Sequence, residues 1–196
     1  MGYGDDVNDG LVRHSAAFLL ASRAVRPVPH LARLRKESFV RRVVASATRE
    51  TPSLLRRAHE RGLLMVDLSH ADFDLYNFGG MNLSGFQFGS ADLARAHFES
   101  ADLKNAQMFR VNLAGADLRH ALLCRADLRE AVLDAAEMLG ADLTGTRLQG
   151  ATLRWADLRS ANFTGCDVSG ADLSNARMSA DFDRSVCTYD TATKWP

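Results

Sequence analysis

The chain has 196 residues, enough for one main domain with appendages, and its 24 Lys and Arg balance 24 Asp and Glu to a formal net charge of zero. Three cysteines, Cys124, Cys166 and Cys187, show neither metal-site spacing nor the even count of a disulfide framework, which excludes a zinc module and a disulfide scaffold and fits a reduced, intracellular chain. The most apolar N-terminal run, AAFLLA at 16–21, is too short to span a membrane, and its charged flanks (Asp5, Asp6, Asp9, Arg13, Arg23) argue against a signal peptide, so a cytoplasmic protein without a membrane partner is expected.

The zero net charge conceals a division. Residues 1–65 carry 12 Arg/Lys against 6 Asp/Glu, residues 66–180 carry 10 against 15, and residues 181–196 carry 2 against 3. A basic head therefore precedes a mildly acidic body.

Residues 1–10 are rich in Gly and Asp and read as disordered. From Gly10 to Val25, the apolar residues Leu11, Val12, Phe18, Leu19 and Val25 predict a helix that Pro27 and Pro29 stop. Between Arg35 and Arg49, Phe39, Val40, Val43, Val44 and Ala47 share one side of a helical wheel while Arg35, Arg41, Arg42 and Arg49 lie on the other, predicting a basic amphipathic helix. Thr51 as N-cap, Pro52 in the first turn, the inward Leu54, Leu55 and Ala58, and Gly62 as stop predict a third helix over about 52–61.

Residues 66–180 divide into 23 consecutive five-residue units without an insertion. Each reads small, Asp/Asn, Leu/Phe, then two loose positions, as in ADLKN at 101, ADLRE at 126, ADLTG at 141, ADLRS at 156 and ADLSN at 171. The third residue, the centre, is Leu or Phe in 19 units, with Met108, Met138, Val168 and Met178 as exceptions, and the first is Ala in 16.

A period of five cannot be a helix, because its apolar stripe would wind around the axis. It cannot be a flat strand either, since an odd repeat sends successive centres to opposite faces. The chain must turn once per unit with the small residue and the centre both inward, so that four turns close a square coil of 20 residues. Coils stacked as parallel strands at about 4.8 Å make a rod roughly 28 Å long. Leu93, Leu113, Leu133, Leu153 and Leu173 are then expected in one core column. Asp or Asn before the centre suits a corner, where its side chain bonds nearby backbone. Tyr76, Met81 and Phe86, where Ala normally stands, predict a wide first coil, and the helix over 52–61 is expected to cover its open edge.

This pattern resembles the pentapeptide-repeat family, whose motif is A-[DN]-L-x-x. The resemblance implies an all-β solenoid, a right-handed quadrilateral β-helix, here preceded by an α-helical N-terminal region. After Ala180 the register slips by one residue to give ADFDR, and Phe182, Val186, Tyr189 and Trp195 are expected to plug the last coil. The closing YDTATKWP resembles the end segment of many bacterial members.

Residues 20 apart share an outward column. Glu99 with Arg119, Arg110 with Glu130, and Asp134 with Arg154 should therefore pair between coils. Phe109, Leu122, Val132, Leu139 and Trp155 are the outward apolar residues, and Trp155 has Arg147, Arg154 and Arg159 for company. Two readings of Trp155 stay open: an anchor for a protein partner, or a ring lying along the rod under arginine stems.

Catalysis has little support, since no Ser/His/Asp, HExxH or phosphate-loop spacing occurs and a core filled by Leu and Phe leaves no interior pocket. His97 and His120 fall on one side in different columns, His70 is isolated, and no metal or cofactor is expected. The expected function is a non-enzymatic scaffold whose outward residues Trp155, Arg154, Arg159, Arg147, Phe109 and Leu139 meet a protein partner, with a homodimer through an open coil end as a further possibility. The resemblance implies an alternative, a DNA mimic that binds bacterial type II topoisomerase (DNA gyrase) and protects it from inhibitors. Mimicry needs dense negative charge along the rod, and the arginines interrupt it. Direct nucleic-acid binding is not expected.

Overall fold

The computed structural model describes residues 68–70 and 72–196. The expected helices of the head, including 52–61, lie outside the described residues.

The ladder has a fixed register. Parallel bridges join the second-position residues from Asp72 to Asp157 to the residue 20 later: Asp92 to Asn112, Asn112 to Val132, Val132 to Thr152, and likewise on every side. Four units therefore make one coil, and the body is a four-sided β-helix with a single bridged pair per side and coil. We number the sides by their bridged columns. Side 1 carries Asp72, Asp92, Asn112, Val132, Thr152 and Asp172; side 2 carries Asn77, His97, Asp117, Glu137, Asp157 and Arg177. Side 3 carries Asn82, Asp102, Leu122, Asp142 and Asn162; side 4 carries Gln87, Gln107, Asp127, Arg147 and Asp167.

Backbone hydrogen bonds show how the coil is held. The Asp102 N–H donates back to the Met81 carbonyl at 2.9 Å, the Leu103 N–H donates forward to Leu122 at 2.8 Å, and the Ala106 N–H closes the corner onto Leu103 at 3.1 Å. Each corner is thus a four-residue turn, and its third residue, the fifth of the unit, has positive φ in every unit from His70 to Asn175, between 54° at Ser90 and 71° at Gly85. The fifth position is not loose, as the sequence pattern suggests. Gly occupies it eight times and Asn twice, the residues that tolerate left-handed backbone best, but Arg, His, Ala and Trp155 are held there too.

The second position explains itself at the same corner. Asp or Asn Oδ1 accepts the N–H two residues on, at 2.9 Å from Asn77 to Gly79, 3.1 Å from Asp102 to Lys104 and 3.0 Å from Asp142 to Thr144. A side chain that satisfies a turn donor which the ladder leaves over is the physical reason for the motif.

Centres and first-position residues fill the interior. Leu93, Leu113, Leu133, Leu153 and Leu173 are all fully buried, in units whose bridges run directly from coil to coil along side 1. Where Thr146 replaces the usual Ala, its hydroxyl is buried and donates to the Leu123 carbonyl at 2.7 Å, so the extra polar atom is satisfied. Near the first coil, Phe73 meets Tyr76 and Phe78 edge-on and Tyr76 lies tilted against Phe78, with centroids 4.6–5.5 Å apart.

The tail does more than plug. Thr188 bridges to Asp167 and Lys194 to Asp172, offsets of 21 and 22 residues, so the tail continues the ladder around one insertion and then a second. Just before Thr188 a 3-10 turn, Arg184–Val186, is capped by the Asp183 side chain. Phe182 and Trp195 pack against the core, with Phe182 5.3 Å from Phe163. Val186 and Tyr189 are exposed, contrary to the expected four-residue plug. Continuing the ladder uses the edge hydrogen bonds of the last coil, which a purely apolar plug would leave open.

Candidate interaction surface

Every outward side chain comes from the second, fourth or fifth position of a unit, so its place is dictated by the ladder. The three expected pairs between coils are present: Arg110 Nε lies 2.7 Å from Glu130 Oε2, Arg119 lies 3.7 Å from Glu99, and Arg154 bonds Asp134 through both Nε and a terminal nitrogen. A second kind of pair joins the second and fourth positions of one unit. Arg119 clasps Asp117, Arg129 clasps Asp127 and Arg159 clasps Asp157, each with two hydrogen bonds of 2.6–2.8 Å. Arg119 is the most connected, adding Glu137 at 3.6 Å.

These pairs change the carboxylates. Hydrogen bonds from Arg119, Arg129 and Arg159 hold Asp117, Asp127 and Asp157 below the usual carboxylate range, against a smaller opposing effect of burial. Burial pushes Asp134 up, and bonds from Arg154 and Thr152 outweigh it to leave the group lowered. Ser174, then Lys194, bring Asp172 to about 2. Among the described carboxylates of the repeats, Asp74, Glu99, Asp102, Asp117, Asp127, Glu130, Asp134, Glu137, Asp157 and Asp172 each stand within ion-pair distance of an Arg or Lys.

Trp155 stands at the corner between sides 1 and 2 with 66% of its surface exposed. No guanidinium lies over its ring among the described residues, so the reading in which arginine stems cover it does not hold. Arg154 is turned to Asp134 and Arg159 to Asp157 instead. Val132, 38% exposed, lies on side 1 bridged to Thr152, one coil before Trp155. Leu139 and Arg159 occupy fourth positions one coil apart in the next corner, between sides 2 and 3.

Phe109 and Arg147 lie on side 4. Phe109 is half-buried under Arg110 and Arg129, whose guanidinium carbons are 4.8 and 5.5 Å from its ring centre. Arg147 reaches Asp127 at 3.6 Å. The six residues singled out from the sequence therefore spread over three regions: Trp155 and Arg154 at the corner between sides 1 and 2, Leu139 and Arg159 at the corner between sides 2 and 3, and Phe109 and Arg147 in units of side 4.

His97 lines a shallow groove on side 2 with Asn77, Gly79, Glu99, Ser100 and Asp117. His120 lies against the Gly140 corner. No group of His, Cys, Asp or Glu that could hold a metal ion occurs among the described residues, and no helix there is long and apolar enough to cross a membrane.

A family model for pentapeptide repeats matches eight copies within residues 67–108, 112–150 and 136–175. Similar solved structures include full-length QnrB1, a plasmid-mediated fluoroquinolone resistance protein, 20% identical over 66% of this chain and 67% of that one, TM-score 0.28. HetL, a pentapeptide repeat protein involved in heterocyst differentiation regulation from the cyanobacterium Nostoc, is 19% identical over 70% of this chain and 76% of that one, TM-score 0.32. A pentapeptide repeat protein of the Arabidopsis thaliana thylakoid lumen is 31% identical over 55% of this chain and 68% of that one, TM-score 0.26. A comparison with curated proteins gave no match.

Proposed function

The chain belongs to the pentapeptide-repeat family, and from that premise we propose that it is a non-enzymatic, cytoplasmic scaffold that binds a protein partner through the corner between sides 1 and 2. The observation that carries this reading is Trp155. A large aromatic side chain left 66% exposed on a body whose other large side chains are mostly buried is costly to keep in water and gains most when a partner covers it. Arg154 shares its corner and Val132 lies on side 1 one coil before, adding the mixed apolar and arginine composition that favours interface anchors.

The same surface argues against mimicry of DNA. A phosphate-like array needs unneutralised charge at regular spacing, and ten described carboxylates of the repeats instead stand beside arginine or lysine. Among the described residues, packed Leu, Phe, Met and Ala side chains fill the interior and leave no internal chamber.

The test compares wild type with the double variant Trp155→Ala, Arg154→Ala by affinity capture from cell extract and mass spectrometry. The expected result is a partner retained by wild type and lost from the variant, with both proteins melting alike. Identical sets of captured proteins would overturn the assignment of this corner.

A further inference from the structure

Cys166 and Cys187, 21 residues apart in the chain, are neighbours in the fold. A parallel bridge pairs Asp167 with Thr188, and the Thr188 N–H donates to the Cys166 carbonyl at 2.8 Å. The residues just before that bridge, Cys166 and Cys187, therefore stand side by side on consecutive layers of side 4. Adjacent strands lie about 4.8 Å apart, within the Cα separation of roughly 4.4–6.8 Å that a disulfide spans. Both belong to the interior: Cys166 is fully buried at a position that Ala usually holds, and Cys187 is half-buried and packed against the core.

Cys124 has a different setting. It occupies an outward fourth position on side 3, with Sγ 3.1 Å from Asp142 Oδ2. All three cysteines are free thiols. Burial raises the Cys166 thiol, and the neighbouring Cys187 adds to that shift; burial also raises Cys187.

We propose that Cys166 and Cys187 form a thiol–disulfide site that locks the C-terminal tail onto the last coil. With glutathione disulfide as oxidant, the more accessible Cys187 thiolate attacks one glutathione sulfur and releases the first glutathione thiol. Cys166 then gives up its proton and attacks the Cys187 sulfur of the mixed disulfide, releasing the second. Two protein S–H bonds are lost, one S–S bond forms, and two electrons pass to glutathione disulfide, which leaves as two thiols. The reduced tail is held by its bridges at Thr188 and Lys194; the oxidised tail is also held covalently. This site is independent of the partner corner.

The experiment treats the folded full chain carrying Cys124→Ser with glutathione disulfide in mildly alkaline buffer, which favours the raised thiols. The monomer is isolated, digested with trypsin without reduction and analysed by mass spectrometry. The expected product joins peptide 160–177 to peptide 185–194, and the oxidised monomer melts at a higher temperature than the reduced one. Adding Cys187→Ser should abolish both changes. Glutathione carried on Cys187 without the cross-link, dimers linked through either cysteine, or a cross-link that forms only in denaturant would each overturn the proposal.

Discussion

Phe78 and Phe98 stack face to face one coil apart, their ring centres 4.8 Å apart and their planes 9° from parallel. The separation matches the strand spacing, so the rings repeat the backbone ladder inside the core. Truncating Phe98 to Ala should cost about 3–5 kcal/mol, because the rigid coils above and below cannot collapse into the space. Leu133→Asp should cost more than the hydrophobic loss alone, since it puts a charge into a fully buried column. Circular dichroism melts check both, and wild-type melting of Leu133→Asp would refute the register.

The left-handed corners make a graded prediction. At Gly165, with φ of 67°, an added Cβ meets nothing closer than 4.0 Å, so Gly165→Ala should cost only the conformational strain, about 1 kcal/mol. At Gly140 the same Cβ would come 2.7 Å from His120 Nδ1, and Gly140→Ala should cost more because the imidazole must also move. Urea titrations that rank the two variants the other way would contradict the corner geometry.

Acid should loosen the fold in a defined window. Asp172 is held at about 2 against an ordinary value of 3.8, and Asp117, Asp127 and Asp157 are lowered as well. A lowered folded value means stability that is present above pH 3.8 and is lost as pH falls through the folded value. The urea midpoint should therefore drop between pH 3.8 and about 2, and Asp172→Asn should be less stable at neutral pH with a shallower acid dependence.

Deleting residues 1–62 tests the proposed role of the head. If the 52–61 segment covers the first coil, the truncated chain should self-associate through a bared parallel edge. A truncated protein that stays monomeric in sedimentation, with unchanged melting, would make the head an independent module.

The purified protein should leave gyrase supercoiling, and its inhibition by a quinolone, unchanged. Protection that is weakened by salt and lost when Asp92, Asp102, Asp127 and Asp142 are neutralised would promote the mimic reading over the scaffold.

Much of this molecule was readable before any coordinates. A period of five admits one regular solution with a consistent inside, so the coil length, the buried centres and the pairs Glu99–Arg119, Arg110–Glu130 and Asp134–Arg154 all follow from counting by 20. The Asp/Asn corner bond was readable too, because it depends only on residues two apart.

Three things were decided by the tertiary structure. The clasps between Asp127 and Arg129 and their kin depend on where the corner points a fourth-position side chain, which a repeat pattern does not contain. Whether Trp155 lay covered or bare depended on which carboxylates drew Arg154 and Arg159 away from it. The meeting of Cys166 and Cys187 depended on an inserted residue that shifts the ladder from 20 to 21. A repeating sequence determines its own interior because every coil imposes the same packing on the next, whereas outward contacts and the irregular end obey no period and are set only when the chain has closed around itself.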